Sequence, residues 1–180
     1  MMMKHKVFLE NEKIYLRAVE PTDLEIMYHI ENNPSLWEIT NFTVPYSRYI
    51  LKQYIEHSSY DIYTDKQLRL MIVQKTDNSI VGVTDITDFD PLHGRGAIGV
   101  VVNESCRNQG YAKQALKLLI EYSFEFLHMK QLYAYIAVDN RNSVKLFQAC
   151  GFEESGLLKD WVRVGDIYKD VLVMQCISSN

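Results

Sequence analysis

Apolar and polar residues alternate singly over residues 13–18, Lys-Ile-Tyr-Leu-Arg-Ala, the period of a strand with one buried face. Pro21-Thr22-Asp23 supplies a helix start, and the spacing carries that helix to about Glu31, where Asn32-Asn33-Pro34 stops it. A looser helical segment over 47–57 follows the turn at Pro45. Three strand-like runs come next, 68–74, 80–89 and 97–103. Thr76-Asp77-Asn78-Ser79 and Asp90-Pro91-Leu92-His93-Gly94 separate them, which predicts an antiparallel meander. From 112 to 127 the period becomes that of a helix, with Ala112, Ala115, Leu116, Leu119, Ser123 and Phe126 on one face and Lys113, Lys117 and Glu121 on the other. A strand over 132–138 leads to a short helix capped by Asp139-Asn140 and stopped at Gly151. Two last strands, 161–164 and 167–177, turn at Gly165-Asp166. There are no repeats, linkers or biased tracts, so residues 1–180 read as one domain of mixed α/β (α+β) class.

Composition narrows the function classes. A chain that is 47% hydrophobic and 23% charged is an ordinary globule, and a net charge of −4 argues against broad nucleic-acid binding. No apolar run approaches the roughly 20 residues that cross a bilayer, and Met1-Met2-Met3-Lys4-His5-Lys6 does not lead into a secretory apolar core. A cytoplasmic protein without membrane partners is the expectation. Cys106, Cys150 and Cys176 are widely spaced and read as reduced, the last two as core residues, and no ligand spacing suggests a metal. The charge is uneven: residues 20–65 hold eight acids and two bases, interleaved with eight aromatics. That stretch suits a cationic amine through Coulomb attraction and cation–π contact, or else is a solvated acidic helix face beside aromatic core.

The run Arg107-Asn108-Gln109-Gly110-Tyr111-Ala112 joins the third meander strand to the long helix. The first N–H groups of a helix have no partner within it and carry the positive end of its dipole, where an anion settles. Gly110 admits a ligand close to the backbone, Asn108 tolerates a left-handed turn, and Arg107 adds a fixed charge. The spacing fits neither the phosphate loop of nucleotide hydrolases nor the dinucleotide fingerprint. The run therefore reads as a cradle for a phosphate-bearing cofactor or as a plain strand-to-helix turn.

Arg-x-x-Gly-x-Ala resembles the acyl-CoA signature of the GCN5-related N-acetyltransferase (GNAT) superfamily. About 30 residues later, Asn140, Ser143, Leu146 and Gly151-Phe152 resemble its second signature. The element order resembles that superfamily from end to end, over about residues 13–177. The opening Ile14-Tyr15-Leu16-Arg17-Ala18-Val19 with Asp23, and the closing Gly165-x-x-Tyr168-x-Asp170-x-x-x-Met174, look like the branch of ribosomal-protein N-terminal acetyltransferases and bacterial spermidine N-acetyltransferases. The resemblance implies a single mixed, mostly antiparallel central sheet flanked by helices, with a V-shaped splay between strands 4 and 5. It implies acetyl-CoA as cosubstrate, with its pantetheine against Val101 and Val102, its pyrophosphate on Arg107, Asn108, Gln109, Gly110, Tyr111 and Ala112, and Asn140 and Ser143 near the pantetheine arm. The acceptor would be a small amine or polyamine, or a protein N-terminus. A homodimer or higher homo-oligomer is plausible from the sheet edges of the C-terminal strands.

The implied reaction is attack of a neutral amine on a thioester, which requires an alkylammonium to lose a proton. Two positions depart from the superfamily's pattern. Phe147 stands where many members have a tyrosine acid, and Ala97 where many have a glutamate. Tyr111, Tyr133, Tyr135 and Ser143 are the replacement acids, and Asp85, Asp88, Glu31 and Glu38 the replacement bases, with Asp85 and Asp88 first. Strand alternation would point Asp85 and Asp88 to opposite faces. Glu31, Trp37, Glu38 and Asp85 are the expected acceptor contacts, and His93 and His128 read as structural. The two departures also motivate a CoA-binding sensor that has lost turnover.

Overall fold

The computed structural model describes residues 7–34, 36, 45–59 and 61–179. A strand β1 (Ile14–Ala18) and a 3-10 turn (Pro21–Asp23) precede helix α1 (Leu24–Glu31). Helices α2 (Arg48–His57) and α3 (Ile62–Asp65) then lead into the meander β2 (Leu68–Gln74), β3 (Ile80–Asp90) and β4 (Arg95–Val102). Helix α4 (Tyr111–Glu121), β5 (Gln131–Ala137), α5 (Arg141–Gln148), β6 (Glu153–Val164) and β7 (Ile167–Ile177) complete the order. The seven strands lie in the order β1-β2-β3-β4-β5-β7-β6. Every pairing is antiparallel except β4 with β5, so the meander and the mixed sheet are as the sequence predicts.

Each face of the sheet buries its own apolar layer. Ile14, Ile72, Ile86, Ile98, Leu132 and Met174 meet Ala115, Leu116 and Leu119 of α4 and Phe147 of α5. On the other face Met71, Val73 and Val83 meet Met27 and Ile30 of α1 and Leu51 and Ile55 of α2. The entry to α1 is set by one ion pair. Arg17 donates to both carboxylate oxygens of Asp23, at 2.7 and 2.9 Å, and Asp23 also accepts the Glu20 N–H at 2.8 Å as half of a capping box.

Four details differ from the sequence reading. Ser123 lies buried on the sheet side of the long helix and donates to the Leu119 carbonyl one turn back at 2.7 Å, but residues Tyr122–Phe126 form a π turn. The wider turn rotates Phe126 out of the apolar face to 56% exposure, where it stacks on Tyr122 with ring centroids 5.1 Å apart. Strand β6 begins at Glu153 rather than 161, because β7 offers it a ladder although its side chains are almost all exposed and carry no alternation. Helix α3 has only Ile62 buried, too little for a period, and forms because Asp61 caps the Tyr63 N–H. Cys176 is buried as expected, whereas Cys150 is only half-buried.

Burial opposes the charge of Asp23, but Arg17 and the Glu20 N–H outweigh it and hold the carboxyl below the ordinary aspartate range. A depressed value contributes stability above the unfolded pKa and loses it as the pH falls through the folded one. Asp23→Asn should therefore cost roughly 3 kcal/mol at pH 7 in urea denaturation. That deficit should shrink below about pH 4, where the unfolded wild-type chain takes up the proton that the folded one still resists.

Candidate functional site

The loop after β4 is built as an anion cradle. A 3-10 turn (Glu104–Cys106) reverses the chain, and Asn108 and Gly110 then take φ values of 61° and 83°. Gly110 is the N-cap of α4 and among the described residues no side chain caps that helix, so its first N–H groups face outward at the positive end of an eleven-residue helix. Arg107 is exposed beside them, with Nε 3.4 Å from the Val102 carbonyl, and the Gln109 amide donates to the Ser105 carbonyl at 3.1 Å. Ala112 is half-buried in the first turn of α4. A cleft of about 380 Å³ adjoins the cradle, between Ile26, His29 and Ile30 of α1 and Val102, Glu104 and Arg107.

Beside the cradle the sheet opens. Strands β4 and β5 pair only from Arg95 with Gln131 to Ala97 with Tyr133. Beyond that point the facing edges of Ile98–Val102 and Ala134–Ala137 have no strand between them, which leaves backbone donors and acceptors for an amide-bearing ligand. Because the strands are parallel, both C-terminal ends lie at the open end. Val101 and Val102 sit on one arm, half-buried and directed to opposite apolar layers. On the other arm Asn140 caps α5. Its Oδ1 accepts the Ser143 N–H at 3.2 Å, which leaves Nδ2 as a donor beside the half-buried Ser143. The expected cofactor residues are thus gathered round one opening.

The expected catalytic and acceptor residues are brought together less completely. On the face covered by α1 and α2, Arg69 of β2 donates to both oxygens of Asp85, at 2.7 and 3.3 Å, and to Glu31 at the end of α1. Burial pushes the Glu31 carboxyl above its usual range against the pull of Arg69. Burial likewise opposes the Arg69 charge, but Asp85 and Glu31 outweigh it and hold the guanidinium protonated. Asp85 and Glu31 therefore form one cluster rather than two independent acids. Asp88 does not obey strict alternation. The register shifts between Thr87 and Asp90, Ile86 and Phe89 both reach the α4 layer, and Asp88 projects from the bulge with φ 50°. Burial first, then the charge of Asp88, raises the pKa of Tyr133.

Tyr111 is directed elsewhere: its hydroxyl donates to Gln74 of β2 at 2.5 Å, two strands from the splay. Phe147 is 5% exposed and packs edge-on against Phe152, 5.0 Å between centroids. Trp37 and Glu38 lie outside the described residues. Much of the acidic stretch is engaged within the protein. Glu25 pairs with Arg48, whose guanidinium covers the Tyr28 ring at 3.8 Å, while Asp61 caps α3 and Asp65 accepts from Ser58 and Ser59. Of the described acids of this stretch, Glu31 is the one that Arg69 brings together with Asp85 of β3. Sequence reasoning did not single out Arg69, although a lone arginine in the apolar run Leu-Arg-Leu-Met-Ile-Val was a signal for a buried partner.

Replacing Arg69 with Met would leave two carboxylates facing each other in a largely buried site. Urea denaturation should show a loss of about 3–5 kcal/mol, of which adding Glu31→Gln recovers part.

A model of the acetyltransferase (GNAT) domain matches residues 13–153. The chain is 25% identical over 171 residues to the spermidine N(1)-acetyltransferase of Vibrio cholerae, covering 94% of this chain and 95% of that protein. The structure of the spermidine N-acetyltransferase from Vibrio cholerae in complex with CoA and spermine matches with a TM-score of 0.84 at 25% identity, over 94% of this chain and 98% of that one. The ribosomal-protein-serine acetyltransferase of Escherichia coli is 29% identical over 103 residues, 57% of each protein. The uncapped helix, Arg107 and the unpaired strand edges suit a pyrophosphate followed by an amide-bearing arm, and the chain belongs to the GNAT acetyltransferase family, an acyltransferase with acetyl-CoA as its acetyl donor.

Proposed function

We propose that the chain acetylates a primary amine of a small cationic acceptor, a polyamine of the spermidine type. The observation that carries this reading is the convergence of Glu31 and Asp85 on the single guanidinium of Arg69. Among the described residues these two carboxylates share one guanidinium at a site where water screens charge weakly. Asp85 is 18% exposed and lies directly opposite Gly99 of β4, close to where the splay begins. The spermidine enzyme of Vibrio cholerae, similar over nearly the whole chain, supports the same acceptor class.

In this reading acetyl-CoA lies along the splay, with its pyrophosphate on Arg107, Asn108, Gln109, Gly110, Tyr111 and Ala112, its arm along Val101 and Val102, and Asn140 donating to it through Nδ2. Asp85 is the general base for the reacting ammonium, and Asp88 at the bulge draws the distal one. Ser143, Tyr133 and Tyr135 are the hydroxyls left to serve the departing sulfur, since Phe147 has no proton to give and Tyr111 is bonded to Gln74. Placement of the amine beside the thioester supplies much of the acceleration. Exposed Leu157, Trp161, Ile167 and Tyr168 on β6 and β7 favour self-association, which sedimentation would report. Among the described residues no helix is long and apolar enough to cross a membrane.

The test is to follow CoA thiol release with spermidine and with a short serine-starting peptide. Spermidine should be turned over at least about tenfold faster, and the opposite preference would move the acceptor to a protein N-terminus. CoA binding with no turnover of either would favour the sensor that Phe147 motivates. Arg107→Ala should weaken acetyl-CoA about tenfold by calorimetry, the worth of one charge-assisted phosphate contact.

A further inference from the structure

Glycine inside a strand costs about 0.5–1 kcal/mol relative to alanine, so it persists where something demands it. Two glycines of this sheet meet that demand by packing. A Cβ on Gly82 would sit 2.1 Å from the Val101 carbonyl oxygen, and one on Gly96 would sit 2.9 Å from Cγ2 of Ile86. Gly94, Gly110, Gly151 and Gly165 have positive φ. Gly99 has neither reason. It is the fifth residue of β4, its φ lies outside the left-handed region, and no described atom falls within 4 Å of where its Cβ would be. Gly156 has similarly open surroundings, but it lies at a register break of the edge strand β6.

The register identifies what Gly99 opens. Asp85 is its partner on β3, and Ala97, two residues earlier, lies between Thr87 of β3 and Tyr133 of β5. Residues directly opposite share a face, so Asp85, Gly99, Ala97 and Tyr133 all face the α1 side. With strands about 4.8 Å apart, Ala97 and Gly99 form the floor of a slot about 10 Å across, walled by Asp85 and Tyr133. The last pair of β4 with β5 is Ala97 with Tyr133, so Gly99 is the point at which the edge of β4 becomes free for the acetyl donor.

We propose that Gly99 determines acceptor specificity: its missing side chain is the passage through which a primary amine on an unbranched carbon reaches the acetyl group. This inference rests on the acceptor reading above. In the transfer the amine nitrogen forms a bond to the carbonyl carbon and the carbon–sulfur bond breaks. The electron pair leaves on sulfur, which takes up a proton, and the proton of the amine passes to Asp85 or to solvent. Nitrogen must approach the carbonyl over Gly99, so a Cβ there stands in the path of the carbon that bears it.

The test is Gly99→Ala and Gly99→Val in the full chain. Both should fold with a melting temperature no lower than the wild type, because nothing described is displaced and strand propensity improves. The rise in melting temperature on adding CoA should be unchanged. The value of kcat/KM for spermidine should fall roughly tenfold for Gly99→Ala and about a hundredfold for Gly99→Val. Hydrolysis of acetyl-CoA by water, which needs no passage for a carbon, should stay within about threefold. Wild-type enzyme should also prefer an n-alkyl primary amine to its α-methyl isomer. A folded Gly99→Val that still acetylates spermidine within threefold of wild type would overturn the role of Gly99 alone. Loss of CoA binding in the variants would overturn it too, by assigning the space to the donor. A wild type active only on the serine-starting peptide, whose amine sits on a branched carbon, would sink the polyamine reading and the role of Gly99 together, whereas wild-type turnover of spermidine with an equally active Gly99→Val overturns the role of Gly99 alone.

Discussion

Only three register pairs, Arg95–Ala97 with Gln131–Tyr133, join strands β1 to β4 to the three C-terminal strands. That junction has to be long enough to make one sheet and short enough to leave an opening. The layer beneath it resolves the conflict. Ile86, Ile98, Leu132, Ala134 and Met174 form a continuous apolar floor from β3 to β7, so packing holds the halves together where the ladder stops. Helix α4 crosses that floor, and its N-terminus lies at the open end because the chain leaves β4 there. The anion cradle, the unpaired edges and the Asn140 cap are consequences of where one ladder ends.

The opposite face poses an electrostatic constraint. A guanidinium buried in the β2 layer needs partners, and Arg69 takes them from two elements far apart in sequence, the end of α1 and the middle of β3. The same contacts orient Asp85 and tie α1 to the sheet. Arg17 and Asp23 do the equivalent work at the start of α1, so the helix is pinned at both ends by arginines of β1 and β2. That face of the sheet therefore carries its charges in a rigid frame.

Much of this was legible in the chain. The meander, the helix expected from residue 112 and the cap at Asn140 follow from period, turn residues and helix-start chemistry, which are local. What escaped was non-local or broke a period. The π turn at Tyr122–Phe126 leaves the apolar spacing intact in sequence while rotating Phe126 outward. The bulge at Thr87–Asp90 resets alternation for Asp88 without a glycine to announce it. Most of β6 is stabilised by its neighbour's backbone rather than by its own side chains. The partnership of Arg69 with Glu31 and Asp85 spans 38 and 16 residues, beyond the reach of any motif.

The free edges of β4 and β5 carry a cost for the protein without its donor. Exposed strand edges are templates for pairing with any extended chain, and here two of them face each other across one gap. In the reading proposed above, a donor arm laid between them is a surrogate strand that closes both at once. On that reading acetyl-CoA serves the folded state as well as the reaction, and the concentration of free donor sets how long this sheet stays single.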